Sequence, residues 1–332
     1  HSTFVSHVEH LEIIFVLLNI VIVFTLGFIA YELSKPTIIP SFVMAIFFGF
    51  VSRNILSYIT VNPVALSVLT TIGAALILFG GGLEIPFTRF KNLLFPIISL
   101  AFFGTIITGF TFSLALGSVA AGVNIVIPIS AIILLGIALA STDPAAIIPS
   151  FKSLVFGNPR VKHIAVSESA LNDVVGALIT GIFLTLFVGS YHPTSILASY
   201  KSLLTLGNFF EITKIILIGL LSGILGYFIL NIWSKWKEKV EGDGEADAAL
   251  FLAVPLLTFT IATVLGGNGF LAVFVAGLLF QLRSHMGHVE HFFNHTIEGF
   301  MKPLIFMLLG TLVNFDALVG FAGLGIIMGL LF

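Results

Sequence analysis

Apolar stretches, each near the roughly 20 residues a helix needs to cross a hydrocarbon layer, follow one another along almost the whole chain. They are predicted at Leu11–Tyr31, Thr37–Ile55, Val64–Ile85, Leu93–Leu116, Ile125–Ile148 and His163–Gly189. Further runs follow at Phe209–Trp233, Ala248–Leu265, Phe270–Leu282, Ile297–Val313 and Ala317–Phe332. Turn chemistry separates them, in Ser34-Lys35-Pro36, Asn62-Pro63, Gly157-Asn158-Pro159 and Gly266-Gly267-Asn268-Gly269. Only 9% of the residues are charged and 58% are hydrophobic, where a soluble domain carries about 25% charged residues. The fold class is therefore an all-α polytopic membrane protein. The basic footprint required for nucleic-acid binding is absent, and with no cysteine there is neither a disulfide framework nor a thiolate site.

Orientation follows from the basic residues. Lys35, Arg89, Lys91, Lys152, Arg160 and Lys162 fall in the first, third and fifth connections, whereas the second and fourth hold only Arg53. The positive-inside rule then places the first, third and fifth connections in the cytoplasm and the N-terminus outside. Glu9 and Glu12 precede the first run where a signal peptide would carry basic residues, so it reads as a span. Ser234–Asp247, with three lysines and five acidic residues, reads as a solvated loop. Gly325–Phe332 is an apolar run that simply stops, which reads as the trimmed end of a longer arrangement.

Within this lipid-adapted sequence, Ser167–Val175 stands out. It holds Glu168, Ser169, Asn172 and Asp173, and ionisable groups at membrane depth mark an ion or proton site by default. On a helix Glu168 and Asn172 form one column of oxygen ligands, and Ser169 and Asp173 an adjacent one. Upstream, Ser141-Thr142-Asp143-Pro144 interrupts another apolar run. Proline removes a backbone donor and drives the preceding residue out of helical geometry, so the helix should break beside Asp143. A break at membrane depth is tolerated where it lines a cavity or binds a charged substrate, which sets Asp143 opposite Asp173 at one site. Carboxylate, hydroxyl, amide and carbonyl oxygens suit a hard cation. A carboxylate there can hold a cation or a proton but not both, which is the coupling an antiporter needs.

The Thr-Asp-Pro break followed by Glu168-Ser169-x-x-Asn172-Asp173 resembles the signature of NhaP-type monovalent cation/proton antiporters, prokaryotic relatives of animal sodium/proton exchangers. Gly269–Leu278 resembles a late span of the same family. The resemblance implies the inverted-repeat sodium/proton antiporter fold with discontinuous crossing helices. It implies that Asp173 binds Na+ (or Li+) and H+ alternately. Asn172 would orient its neighbours, and Ser169, Thr142 and Asp143 would act as direct or water-mediated ligands. Glu84 would be an auxiliary acid. Glu168 would pair with a cation from a later span; Lys302 stands at that position, where the family's usual residue is arginine, and unlike arginine a buried lysine can lose its proton. It further implies a homodimer in a prokaryotic plasma (inner) membrane, with no cofactor beyond the transported ions.

With six spans per repeat, an inverted repeat needs an odd linking span, which favours Pro193–Asn208 as a short crossing. The expected division is then scaffold spans at 1–92, core ion-binding spans at 93–192, a linking span or interfacial helix at 193–208, scaffold at 209–296 and an incomplete second core at 297–332. Ala317–Phe332 would begin the second broken helix. Two other classes were weighed. A cation channel would show a filter loop, and an intramembrane aspartyl protease would need its two aspartates as a proton-sharing dyad. His285, His288, His291 and His295 would share one helix face as an exposed connector or a pH-responsive patch. Gly219, Gly223 and Gly226 read as close-contact positions between helices.

Overall fold

The structure, a computed structural model, describes residues 2–37, 39–60, 63–85, 87–142, 157–189, 193–203, 205–241, 248–280 and 296–331. These residues are mostly helical, with no strand among them. In order the helices are α1 (Ser2–Ser34), α2 (Ser41–Val51), α3 (Arg53–Thr60), α4 (Pro63–Glu84), α5 (Phe87–Asn92), α6 (Leu94–Ser99), α7 (Thr105–Gly122) and α8 (Ile129–Ala140). After these come α9 (Pro159–Val188), α10 (Ile196–Ser202), α11 (Leu206–Glu241), α12 (Ala248–Val264), α13 (Gly269–Phe280), α14 (Lys302–Thr311) and α15 (Phe315–Leu331). A π-helical turn, Leu100–Gly104, joins α6 to α7, and a second, Ile297–Met301, leads into α14. Five helical stretches among the described residues are long and apolar enough to cross a membrane, and six if α14 and α15, bent by 101° at their junction, count as one span.

The chain divides into two compact units. One comprises His1–Ile77 with Val289–Gly320. Its core holds Val23, Ala30, Ala45, Leu56 and Met307. Here α2 and α14 cross with their backbones in contact: a Cβ at Gly49 would overlap the Met307 carbonyl, and one at Gly310 the Ile46 carbonyl. The predicted span Thr37–Ile55 breaks at Ser52, whose hydroxyl donates back to the Phe48 carbonyl at 2.6 Å, a bond that bends helices. Just beyond, the Arg53 guanidinium donates to the Val313 carbonyl at 3.0 Å. Phe50 stacks on Phe315 with centroids 6.2 Å apart, and Asn314 caps α15 through the Asp316 and Ala317 amides. The sharp corner between α14 and α15 is thus pinned from the α2–α3 bend.

The other unit comprises Leu78–His288 with Phe321–Phe332. It is built around α9, with Ile97, Ile133, Ile137, Leu171, Val174, Phe183 and Phe274 among its buried core. Paired glycines set the helix crossings. A Cβ at Gly82 would meet the Phe274 carbonyl, one at Gly277 the Phe79 carbonyl, and one at Gly136 the Ser113 hydroxyl. The three glycines read as close-contact positions are that: Gly219 faces the Asn268 carbonyl, Gly223 the Ala272 carbonyl and Gly226 the Thr258 side chain.

Between α9 and α11, where a linking span or an interfacial helix is expected over Pro193–Asn208, stands α10, a helix of seven residues. Such a helix extends about 10 Å, against a hydrocarbon layer of about 30 Å. Tyr200 anchors it: its ring packs edge-on against Phe110 and Phe183, and its hydroxyl lies 3.4 Å from that of Ser113. By contrast α11, with 36 residues, reaches about 54 Å and extends past the hydrocarbon layer. Its far end carries Trp233 and Trp236, both exposed, the amphipathic rings expected at a membrane–water boundary.

Candidate functional site

The central turn of α9 is polar although the helix around it is apolar. Asn158 starts the helix, its side-chain oxygen accepting from the Arg160 amide at 3.0 Å, and Pro159 occupies the first helical position, where a missing N–H costs nothing. The helix then runs unbroken to Val188, so the two ligand columns keep their register. Ser169 is fully buried, Asn172 nearly so and Ser167 buried as well, whereas Glu168 and Asp173 are half-buried.

Facing this turn, α8 ends at Ala140 and the backbone of Ser141 is extended, with φ −80° and ψ 143°. The helix stops just short of the Asp143-Pro144 pair, as the proline predicts. Leaving the helix costs half-buried Ser141 and exposed Thr142 their intrahelical partners. The polar turn of α9 supplies replacements. The Thr142 amide donates to Asn172 Oδ1 at 3.2 Å, and Asn172 Nδ2 donates to Thr142 Oγ1 at 2.9 Å. Ser169 Oγ donates to the Thr142 carbonyl at 2.6 Å and lies 3.0 Å from Thr142 Oγ1. The Ser141 hydroxyl donates to the Asn172 carbonyl at 3.1 Å.

Only one assignment of protons satisfies this knot. With Ser169 donating to the carbonyl, Thr142 must donate to Ser169 and accept from Asn172. The second Asn172 Nδ2 proton goes to Glu168 Oε1 at 3.2 Å, so both amide protons are spent and the carboxylate is tied to the break. Each hydroxyl oxygen has two lone pairs; one on Thr142 Oγ1 and one on Ser169 Oγ accept within the knot, and the other on each takes no part in it.

The sequence-predicted residues are therefore distributed as follows. Thr142, Glu168, Ser169 and Asn172 come together in one hydrogen-bonded cluster. Asp173 lies one residue beyond Asn172 on the same helix turn, half-buried. Glu84 is the last residue of α4. Lys302 opens α14 immediately after a π-helical turn, half-buried in the first of the two units, whereas Glu168 belongs to the second. Asp143 and the four histidines from His285 to His295 lie outside the described residues.

Two contributors were not among the predicted ligands. Ser141 bonds the Asn172 carbonyl, and Gly176, one turn on, makes room for it, since a Cβ there would collide with the Ser141 hydroxyl. A glycine four residues past Asn172 was the available signal. The π-helical turn Leu100–Gly104 also packs on α9, closed by the buried Thr105 hydroxyl on the Ala101 carbonyl at 2.6 Å. Single π turns inside α-helices recur at functional sites.

A helix that ends at a hydroxyl–amide knot, set among span-length apolar helices, defines an integral multi-pass membrane protein with a polar cluster within it. Residues 20–332 match the family described as sodium/hydrogen exchanger, transmembrane. The chain belongs to the sodium/hydrogen exchanger family. It is 26% identical over 254 residues to the Na(+)/H(+) antiporter ApNhaP of Aphanothece halophytica, covering 73% of this chain and 44% of that protein. It is 27% identical over 321 residues to the Probable Na(+)/H(+) antiporter 2 of Methanocaldococcus jannaschii, covering 91% of this chain and 70% of that protein. The chain thus spans under half the length of the first of these relatives. In fold it resembles the sodium proton antiporter MjNhaP1 from Methanocaldococcus jannaschii, solved at pH 8, with a TM-score of 0.69 and 20% identity over 96% of this chain and 77% of that one.

Proposed function

We propose that the protein is a secondary antiporter that exchanges Na+ (or Li+) for H+ by letting the two compete for one intramembrane carboxylate, Asp173, with alternating access to the two sides of the membrane. The reading rests above all on the knot that ties Ser141 and Thr142 to the Glu168–Asp173 turn. It holds an interrupted helix open at depth and leaves hydroxyl lone pairs beside a half-buried carboxylate. Thr142, Ser169 and Asp143 complete the ligand set, with Glu84 as an auxiliary acid and Lys302 as the counter-charge to Glu168. Asp173 holds a proton when no cation is bound, and a bound cation takes its place and expels that proton. Neither ion crosses without displacing the other. Membership of the sodium/hydrogen exchanger family and the similarity to Na(+)/H(+) antiporters support the same cargo. A homodimer in a prokaryotic plasma membrane, with an ion-carrying core moving against a scaffold, completes the proposal.

Proteoliposomes with an acidic lumen test it. Adding external sodium or lithium, but not choline, is expected to alkalinise the lumen in proportion to the protein reconstituted. Sodium entry with no accompanying proton movement would replace the antiporter with a channel.

A further inference from the structure

We propose that α5 and the first turn of α9 together form a binding surface for the headgroups of anionic phospholipids in the cytoplasmic leaflet. The surface is assembled from two connections that are separate in sequence. Helix α5 packs against α9, with Phe90 buried and Phe87 and Ile164 joining the same core. That leaves Thr88, Lys91 and Asn92 exposed on α5, and Arg160, Val161 and Lys162 exposed at the start of α9. Segments 87–99 and 157–167 carry Arg89, Lys91, Arg160 and Lys162 and not one acidic residue. This in a chain where acidic residues outnumber basic ones, 16 to 14, is a local concentration of positive charge. The nearest acidic residues in sequence, Glu84 and Glu168, lie outside these two segments.

What surrounds those cations selects the ligand. Phe95, at the head of the span Leu94–Gly122, is 84% exposed and Val161 is 51% exposed, so apolar surface adjoins the charges as acyl chains adjoin a headgroup. The backbone offers no cradle for a free phosphate. Pro159 has no N–H, the Arg160 amide is held by the Asn158 side chain and the Val161 amide by the Asn158 carbonyl. An anion here is held by long side chains alone, as juxtamembrane clusters of four or more Lys and Arg hold anionic lipid. Both connections are cytoplasmic by the positive-inside count, the leaflet where such lipids carry the negative surface potential. Because the surface bridges α5 to the helix that carries Asp173, lipid bound there braces the position of that helix.

The test uses the intact protein in detergent, with thermal unfolding and native mass spectrometry during titration with phosphatidylglycerol or phosphatidylcholine of matched chains. Phosphatidylglycerol is expected to raise the melting temperature and to be retained, in a salt-sensitive manner, whereas phosphatidylcholine and inorganic phosphate are not. The combined variant Lys91→Gln, Arg160→Gln and Lys162→Gln should bind phosphatidylglycerol about 100-fold more weakly. Should that variant not fold, Lys91→Glu on α5 alone gives the same direction with a smaller change. Undiminished phosphatidylglycerol binding in the variants, or equal protection by inorganic phosphate, would overturn the proposal. These outcomes do not depend on whether the protein exchanges sodium for protons.

Discussion

Asp173→Asn is expected to reduce sodium-dependent proton exchange to the level of empty liposomes while leaving the protein folded. Asparagine matches aspartate in size, so packing on the half-buried face of α9 is retained and stability should change by no more than about 1 kcal/mol. What disappears is the charge that binds the cation and the group that takes the proton, and both half-reactions stop together. Proteoliposome flux measured alongside size-exclusion and melting profiles separates this loss from misfolding. Coupled exchange persisting in the folded variant would move the carrier role to Asp143.

Asn172→Ala should produce the largest loss of stability among the site residues. The side chain accepts from the Thr142 amide and donates to Thr142 Oγ1 and Glu168 Oε1. Asn172 itself is buried, whereas Thr142 is exposed and Glu168 half-buried, so water takes up part of what truncation leaves unpaired and the loss per group falls toward the lower end of about 1–3 kcal/mol. Ser169→Ala removes the donor to the Thr142 carbonyl and the acceptor for the Thr142 hydroxyl, so it should cost less. The two substitutions share Thr142, and the double variant should fall short of the sum. Thermal unfolding of the four proteins, with amide exchange at Ser141 and Thr142, checks this. Wild-type stability and protection in Asn172→Ala would mean that the knot does not hold the break.

Much of this arrangement was legible in the residues themselves. Apolar length gave the spans, Pro144 gave the break, and four-residue spacing gave the columns that α9 preserves. Three glycines in α11 were legible as contact positions because a residue with no side chain in an apolar helix has little other use. Other features arise from partners far away in sequence. Nothing local announces that Asn172 will bond Thr142, since either could as well bond its own helix. The π-helical turns have no compositional mark; the first is closed by Thr105 on Ala101 and packed on α9. Hydropathy leaves 193–208 open between a short span and an interfacial helix, and the contacts of Tyr200 with Phe110, Ser113 and Phe183 that place α10 come from other helices. The bend at Ser52 likewise depends on whether its hydroxyl turns back onto Phe48, which composition does not specify.

Competition between cation and proton is tested most directly by the apparent KM for sodium, taken from initial exchange rates in proteoliposomes across a range of pH. Two ions that exclude one another at Asp173 require KM to rise as pH falls, approaching about tenfold per pH unit once the free carboxylate is mostly protonated, with the rate at saturating sodium unchanged. A KM independent of pH, with acid lowering only the maximal rate, would contradict a shared site.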